Sequence, residues 1–255
     1  MQKYFDVAQK AARVAGRLIK NNFHKEKHVS YKGRIDLVTD IDKRAEDRIL
    51  EVINDNFPEH NILTEESDLD RDSKSEFCWV IDPLDGTTNY VHEFPFVNVS
   101  VALQKNNETI VGVVFNPILD EFFYAIKNRG SYKNEERLAV SSSTDLKKSV
   151  LATGFPYEMD SERNNLNNFN RIIKKCRGVR RPGAAAIDLC YVAAGIFDGF
   201  WEIELHPWDT AAGILIVKEA GGKVSKFDGS EFSIFDREIV ATNGKLHTDL
   251  INILD

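Results

Sequence analysis

The sequence predicts a mixed fold, with helices and an antiparallel sheet in the first half and alternating strands and helices in the second. Apolar residues alternate over 97–103 and over 110–115, and the polar residues 105–108 between them predict a hairpin. From about Ser141, short apolar strands alternate with helical segments. No repeat and no Pro/Gly/Ser-rich linker is visible, so we expect a single domain of two tightly packed halves, residues 1–140 and 141–255.

In the first half, two amphipathic helices come before the sheet. Apolar residues recur at helical spacing over 2–22, and a second stripe covers 41–57, with Thr39 or Asp40 as N-cap and Pro58 just after it. The other expected segments are a polar turn-like stretch at 23–34, strands at 61–63, 77–81 and 121–126, an exposed mobile connection at 68–76 and a weak strand near Leu138.

In the second half, glycine and proline mark several helix boundaries. Pro182-Gly183 opens an alanine-rich helix, and Gly221-Gly222 closes a later one. The predicted elements are strands at 150–153, 197–203, 224–226 and 239–241, helices at 162–175, 184–194, 208–220 and 246–253, and a turn or short strand at 178–181.

The bulk composition excludes several classes of protein. The chain has 255 residues and a formal charge of −7, so no global basic field attracts nucleic acid or an anionic membrane. Its three cysteines are far apart and form no C-x-x-C pair, which argues against a zinc site or a disulfide framework. No apolar run reaches membrane-spanning length, and the amphipathic N-terminus favours a core-packing helix over a transit peptide. We therefore expect a cytoplasmic protein.

The most informative stretch lies at the centre of the first half. The apolar run Phe77–Ile81 ends at Asp82, Pro83 forbids regular continuation of the strand, and Asp85 follows. Gly86-Thr87-Thr88 then offers backbone amides in a turn or helix start. Carboxylates beside such amides can hold hard cations and a phosphate at one point. A simple turn is the alternative, because D-P and D-G are ordinary turn dipeptides.

Further acids fall at predicted strand ends or helix starts, where α/β proteins build sites. Asp42 lies in the first turn of a helix, and helix capping alone would explain it. Glu65 and Glu66 follow a short strand, where a solvated loop is the simpler interpretation. Glu202 lies in a strand, and Asp209 opens a helix after Pro207, where it could serve only the helix dipole.

Several separated motifs together resemble the inositol monophosphatase family of Mg-dependent, lithium-sensitive sugar-phosphate phosphatases. The motifs are DLVTDID at 36–42, TEES at 64–67, DPLDGTTN at 82–89, RPGAAAIDLCYVAAG at 181–195, HPWDTAAG at 206–213 and EAGGKV at 219–224. They occur in the family's order and cover nearly the whole chain, which makes them far more specific than any one alone. The resemblance implies a layered α/β/α/β/α sandwich of the inositol monophosphatase/fructose-1,6-bisphosphatase type, usually a homodimer.

The resemblance also implies a metal site. Glu65, Asp82 and the Leu84 carbonyl would hold a first Mg²⁺, and Asp82 would bridge to a second that Asp85 and Asp209 complete. Glu66 would be a neighbour of these ligands, touching at most a weaker third cation. Only oxygen ligands are offered, which suits Mg²⁺ or Mn²⁺ better than Zn²⁺.

The catalytic and phosphate-binding roles follow from the same motifs. Asp42 and Thr87, together with the cation ligand Glu65, would activate the attacking water. Gly86, Thr87 and Thr88 would bind the phosphate oxygens, beside Asp85 and Asp209.

On the leaving-group side, the resemblance implies that Glu202 accepts hydrogen bonds from a polyol and that Gly183, Ala184 and Ala185 face the substrate. A Ser or Thr often occupies position 184 in the family, so one substrate hydrogen bond is missing here. Arg180 and Arg181 either meet a second phosphate or are solvated or structural arginines, and we favour the latter.

The expected reaction is Mg-dependent hydrolysis of small polyol or sugar monophosphates, with inositol 1-phosphate the first candidate. A fructose-1,6-bisphosphatase or a broad sugar, nucleotide or histidinol phosphatase is the alternative in the same chemistry. A regulatory, protein-binding scaffold in a transcription complex is the alternative from another class. The motifs define the reaction better than the leaving group.

Overall fold

The computed structural model describes residues 1–31, 37–67, 75–156 and 165–254. Within these ranges, the helices are α1 (Gln2–Asn22), α2 (Asp40–Asn56), α3 (Thr87–Val91), α4 (Leu166–Ile172), α5 (Ala185–Ala193), α6 (Pro207–Glu219) and α7 (His247–Ile251). The strands are β1 (Val29–Tyr31), β2 (Leu37–Thr39), β3 (Asn61–Thr64), β4 (Phe77–Asp85), β5 (Asn98–Lys105), β6 (Glu108–Asn116), β7 (Glu121–Ile126), β8 (Ser131–Lys133), β9 (Glu136–Arg137), β10 (Val150–Thr153), β11 (Gly178–Arg180), β12 (Gly199–Ile203), β13 (Lys223–Ser225) and β14 (Glu238–Thr242).

Two larger sheets organise these elements. The first has seven strands in the order β3-β4-β5-β6-β7-β8-β9, and it is antiparallel except for the parallel pair β3 and β4. The second has five strands in the order β11-β10-β12-β14-β13, with β10 parallel to both of its neighbours. Strands β1 and β2 form a separate two-stranded hairpin.

Alternating side chains along the strands divide the interior into three apolar clusters. Val99, Val101 and Leu103 pack with α1 and α2 on one face of the seven-stranded sheet, whereas Ala102 packs with α5 and α6 on the other. The five-stranded sheet likewise packs α5 and α6 on one face and residues of α4 and α7 on the other. The layers therefore follow the order α/β/α/β/α, which confirms the expected sandwich.

The middle helix layer lies close to the seven-stranded sheet because both surfaces carry small residues. A Cβ atom at Gly112 in β6 would lie only 2.8 Å from the carbonyl oxygen of Ala212 in α6. The apolar cluster in this layer contains residues from both halves of the chain. The single-domain expectation stays a prediction.

Most predicted elements are present within a residue or two of their expected bounds, but α4 ends at Ile172 and not at 175, and there are three further exceptions. The antiparallel pair β1–β2 was not predicted, since 23–34, of which 32–34 lie outside the described residues, was expected to be a turn-like stretch. Strand β4 does not stop before Asp82 but continues to Asp85, with a register shift in its pairing to β5. In place of one weak strand near Leu138 there are two short strands, β8 and β9.

Parts of two other predictions lie outside the described residues. These are the expected connection at 68–76, described only from 75, and the expected helix at 162–175, described only from 165. Among the helices of the described ranges, none combines the length and apolar character needed to cross a membrane.

Candidate active site

The site begins where two parallel strands end at the same edge of the seven-stranded sheet. Thr64 of β3 pairs with Ile81 of β4, so the next residues, Glu65 and Asp82, emerge side by side. Both line a cavity of about 940 Å³. Asp82 is buried, with 2% of its surface exposed. The topology thus brings together two acids that are 17 positions apart in the sequence.

Strand β4 is irregular just beyond Asp82, because Pro83 has no backbone N–H to donate. The pairing with β5 shifts register between Asp82 and Asp85. Within this bulge, the backbone N–H of Leu84 donates to Asp82 Oδ1 at 3.0 Å. The bulge brings both acids to the cavity, although strict alternation would place residues three apart on opposite faces of the sheet.

Asp85 is held from two directions by hydrogen bonds to the same carboxylate oxygen. The side-chain amide of Asn98, directly across on β5, donates to Asp85 Oδ2 at 2.9 Å. The backbone N–H of Ala186, in the first turn of α5, donates to that oxygen at 2.9 Å. Asn98 is fully buried. Asp85 is therefore fixed between the sheet and the middle helix layer.

The chain turns into helix α3 immediately after Asp85. Gly86 has φ of +92°, and a Cβ atom there would lie 3.0 Å from the carbonyl oxygen of Phe96, so the turn requires glycine. Gly86, Thr87 and Thr88 line the cavity. Asn89 Nδ2 donates to the carbonyl oxygens of Phe96 at 2.8 Å and Pro182 at 2.9 Å, which ties this turn to the loop before α5.

Asp42 combines helix capping with a contact to the site. It forms a capping box with Thr39 at the start of α2, accepting from the Thr39 backbone N–H at 2.8 Å. Its other oxygen accepts from Thr87 Oγ1 at 2.8 Å. Burial raises the pKa of Asp42, although its hydrogen bonds act in the opposite direction. The capping interpretation is thus correct but incomplete.

Asp209 lines the cavity from the start of α6. Pro207 is the first residue of that helix, one position before the expected start at 208, and the backbone N–H of His206 donates to Asp209 Oδ2 at 2.7 Å. Beside it, the His206 and Trp208 rings stack with centroids 4.8 Å apart. This capping arrangement leaves Asp209 among the cavity-lining residues.

The cavity is also lined by Glu202 of β12 and by the loop before α5. Gly183, Ala184, Ala185 and Arg181 also line it. Arg180 is not among the cavity-lining residues described. A Cβ atom at Gly154 would collide with the Glu202 carboxylate, so this strand end must be glycine for Glu202 to lie where it does.

The structure thus brings most of the predicted site residues to one cavity. Those that line it are Glu65, Asp82, Leu84, Asp85, Gly86, Thr87, Thr88, Gly183, Ala184, Ala185, Glu202 and Asp209. Asp42 reaches it through Thr87. Glu66 does not line it, and its backbone N–H instead donates to Glu46. The roles assigned to these residues remain predictions.

Sequence patterns alone did not reveal Asn98, Asn89 or Glu46. Asn98 interrupts a run of valines, and a buried polar residue in an apolar strand is the signal that could have identified it. Asn89 belonged to a motif that was recognised but received no role. Glu46 lies on the apolar stripe of α2, where its acidic side chain is equally out of pattern.

The acids of the cavity repel one another. Burial, followed by the charges of Glu65, Asp85 and Asp209, raises the pKa of Asp82 well above its ordinary value. Burial and then Asp85 raise the pKa of Asp209, whereas Arg237 lowers it. Burial raises the pKa of Asp85 to about 6, against the opposing hydrogen bonds from Asn98 and Ala186.

This donor set fits a hard divalent cation. It offers carboxylate and carbonyl oxygens, which Mg²⁺ and Mn²⁺ prefer. Its carboxylates repel one another, and the charge of a bound cation would offset that repulsion. Within residues 1–31, 37–67, 75–156 and 165–254, no three His, Cys, Asp or Glu side chains are grouped closely enough to hold a metal ion as they stand.

Comparison with known proteins agrees with this geometry. The sequence profile of the inositol monophosphatase family matches residues 1–255. The chain is also 43% identical to inositol monophosphatase 2 of Solanum lycopersicum over 266 residues, covering all of this chain and 99% of that protein. The chain belongs to the inositol monophosphatase family. It is therefore a phosphoric monoester hydrolase, of a family that depends on metal ions.

Other family members of similar identity carry different names. The chain is 43% identical to a fructose-1,6-bisphosphatase/inositol-1-monophosphatase of Aquifex aeolicus, covering 99% of this chain and 96% of that protein. It is 43% identical to the Nus factor SuhB of Escherichia coli, with 96% and 93% coverage.

Solved structures of the family have the same fold. The extragenic suppressor protein suhB of Bartonella henselae superposes with a TM-score of 0.94 at 38% identity, covering 99% of this chain and 98% of that one. The inositol monophosphatase of Anabaena (Nostoc) sp. PCC 7120 gives 0.90 at 39% identity, with 99% and 95% coverage.

Proposed function

We propose that the protein hydrolyses small polyol or sugar monophosphates in a Mg²⁺-dependent reaction, with inositol 1-phosphate as the first candidate substrate. The observation that carries the proposal is the meeting of four acids, Glu65, Asp82, Asp85 and Asp209, with the start of α3 in one cavity. The names of its relatives support inositol phosphate as the substrate.

In this proposal the acids hold the cations. Glu65, Asp82 and the Leu84 carbonyl hold one Mg²⁺, and Asp82, Asp85 and Asp209 hold a second. Glu66 contributes at most to a weaker third, and Mn²⁺ can substitute. Bound divalent cations neutralise the phosphate dianion and lower the pKa of the attacking water.

Asp42 and Thr87 orient the attacking water. Thr87 Oγ1 has two acceptors, Asp42 Oδ1 at 2.8 Å and the Leu84 carbonyl oxygen at 3.2 Å, so its proton points to this side and its oxygen can still accept a hydrogen bond from water. The Thr39 backbone N–H and hydroxyl fix the other carboxylate oxygen. The pair is therefore held in place by hydrogen bonds before a substrate binds.

The backbone of Gly86, Thr87 and Thr88 binds the phosphate oxygens. Their amides belong to the first turn of α3 and its cap, where backbone donors have no intrahelical partner and can bind an anion. These donors stabilise the charge that spreads over the phosphoryl oxygens in the transition state. The positive φ of Gly86 sets their direction.

Glu202 accepts hydrogen bonds from the hydroxyl groups of the leaving polyol. Burial, followed by the charges of Asp209 and Asp85, raises its pKa well above the ordinary value, whereas Arg181 lowers it. Position 184 offers no hydroxyl group, so this side of the cavity imposes less selection on the polyol. We therefore expect broader specificity than for inositol phosphate alone.

A second candidate function is favoured by Arg181. Its side chain lines the cavity near Glu202, and the Aquifex aeolicus relative is named for fructose-1,6-bisphosphatase activity as well. In this alternative, Arg181 meets the second phosphate of fructose 1,6-bisphosphate.

The name of the Escherichia coli relative, Nus factor SuhB, suggests a third candidate function, a protein-binding role in a transcription complex. A pull-down with the Asp82→Asn protein would test it, because a scaffold should retain its partners after loss of the metals. A partner that is retained would support the scaffold.

We also propose a cytoplasmic homodimer that lithium inhibits. Sedimentation at micromolar concentration tests the dimer, fractionation tests the compartment, and turnover in the presence of Li⁺ tests the inhibition. A monomer would contradict the proposed dimer, and turnover that Li⁺ leaves unchanged would contradict the proposed inhibition.

The deciding experiment is phosphate release from a panel of substrates, with and without Mg²⁺. The panel contains inositol 1-phosphate, fructose 1,6-bisphosphate, histidinol phosphate and 3′-phosphoadenosine 5′-phosphate. The proposal predicts the largest kcat/KM for inositol 1-phosphate. A larger value for fructose 1,6-bisphosphate that Arg181→Ala abolishes would establish the second candidate instead, and no release from any substrate would contradict both.

A further inference from the structure

Glu46 of α2 is a buried acid without a role in the proposed ligand set. Only 2% of its surface is exposed, and it lies on the same helix face as Ile49, Val52 and Ile53. A buried carboxylate is costly unless it is hydrogen-bonded or paired with a cation. Among the described residues, no Lys, Arg or His forms an ion pair with it. Its hydrogen bonds must therefore offset the free-energy cost of burying its carboxylate.

Among the described residues, the hydrogen bonds of the Glu46 carboxylate all go to one short segment. The Thr64 hydroxyl donates to Glu46 Oε2 at 2.6 Å, and the Glu66 backbone N–H donates to the same oxygen at 3.1 Å. The Ser67 hydroxyl donates to Oε1. Both carboxylate oxygens are thus engaged by the segment 64–67.

The residue between these contacts is Glu65, which lines the cavity. It is held from both sides, since Thr64 precedes it and Glu66 and Ser67 follow it. The backbone at Glu65 cannot move away from the cavity without breaking at least one bond to Glu46. Three of the four residues of TEES therefore have a structural role in orienting the fourth.

Glu46 also connects this segment to Asp42. The two acids are four positions apart on α2, so their side chains lie one turn apart on the same face of the helix. Asp42 bonds to Thr87, and Glu46 bonds to the segment around Glu65. One rigid helix face thus sets the spacing between the water-orienting pair and the first proposed metal ligand.

We infer that Glu46 is a positioning residue, which fixes Glu65 for cation binding without touching the cation or the substrate. The inference rests on the proposed function, because it takes Glu65 as a metal ligand. It does not make Glu46 a ligand itself, since Glu46 does not line the cavity and both of its oxygens already accept hydrogen bonds.

The test compares Glu46→Gln with Glu51→Gln in full-length protein. The amide of Glu46→Gln keeps the shape of the side chain but replaces one acceptor oxygen by a donor, which cannot accept the bonds from segment 64–67. Glu51 lies on the same helix, is exposed and pairs with Arg48 at the surface. Mn²⁺ binding to chelator-treated protein is measured by electron paramagnetic resonance, and kcat and KM are measured across Mg²⁺ concentrations.

Glu46→Gln is expected to raise the Kd for Mn²⁺ about 10- to 100-fold, the usual effect of removing an outer-shell partner of a metal ligand. High Mg²⁺ should restore its kcat, with KM for the substrate unchanged. Glu51→Gln should match wild type. An unchanged Kd in a folded Glu46→Gln protein would overturn the inference.

Ser67→Ala keeps the inference testable if Glu46→Gln does not fold, because it removes a single bond. It should raise the Kd for Mn²⁺ by a smaller factor than Glu46→Gln, and a wild-type Kd would count against the inference. Failure of the proposed function appears differently. Wild type that binds Mn²⁺ but hydrolyses no substrate contradicts that function and leaves the Mn²⁺ comparison intact, whereas wild type that binds no Mn²⁺ overturns both.

Discussion

The acid cluster predicts that the metal-free protein is destabilised by its own active site. Burial raises the pKa of Asp85 from 3.8 to about 6. Each tenfold change in proton affinity corresponds to about 1.4 kcal/mol, so an ionised Asp85 costs the folded state about 3 kcal/mol near pH 7.5. Asp85→Asn removes this charge, and its amide oxygen can still accept from Asn98 and Ala186. We expect the variant to be more stable than wild type by about 1–3 kcal/mol in the absence of metal.

The pH dependence follows from the direction of the shift. The pKa of Asp85 is higher in the folded than in the unfolded protein, so protonation of this carboxyl stabilises the folded state. That stabilisation is fully present below about pH 4 and is lost as the pH rises through about 6. Lowering the pH from 7.5 to 5 should therefore reduce the advantage of Asp85→Asn by roughly 1.5 kcal/mol, about half.

Urea denaturation in EDTA at both pH values measures this advantage as a difference in the free energy of unfolding. Asp47→Asn is the control, since Asp47 is exposed on α2, and it should change stability by less than about 0.5 kcal/mol. Added Mg²⁺ should stabilise wild type and not Asp85→Asn. If Asp85→Asn instead destabilises the metal-free protein equally at both pH values, the repulsion argument is wrong.

Three further substitutions test separate parts of the site. Asp82→Asn should lower kcat by at least about a thousandfold while the protein stays folded, because several kcal/mol of cation-derived stabilisation is lost; wild-type turnover would contradict the ligand assignment. Gly154→Ala should displace the Glu202 carboxylate and lower kcat/KM for inositol 1-phosphate about tenfold, the value of one hydrogen bond to a charged group. An equal loss on p-nitrophenyl phosphate would mean that Glu202 does not contact the polyol. Ala184→Ser should change the ranking of polyol phosphates more than the rate on that aryl ester, and equal effects would exclude a leaving-group contact at 184.

Local sequence patterns were sufficient to predict the elements whose local structural preference agrees with their place in the fold. The alternation in β5 and the Thr39 cap of α2 are local signals, and both are present in the structure. The hairpin β1–β2 and the continuation of β4 through Pro83 have no such signal. Both depend on strand pairing, which the local sequence does not report.

The residues of the candidate site also divide into those that a local motif reveals and those that only the tertiary structure reveals. Glu65, Asp82 and Asp209 belong to recognisable motifs, and the fold brings them to one cavity. Asn98 and Glu46 act through contacts with residues 13 or more positions away, so only the tertiary structure gives them a role. Residues that support a site are selected for geometry, which a single sequence does not encode in a readable pattern.

The most direct test of the account is a Mg²⁺ titration of phosphate release from inositol 1-phosphate, with chelator-treated wild type beside Asp82→Asn. The account predicts no release by wild type without Mg²⁺, a rise to saturation as Mg²⁺ is added, and background release by Asp82→Asn throughout. Turnover by wild type in EDTA, or a wild-type rate in Asp82→Asn at the same Mg²⁺ concentration, would contradict the claim that these acids act by holding divalent cations.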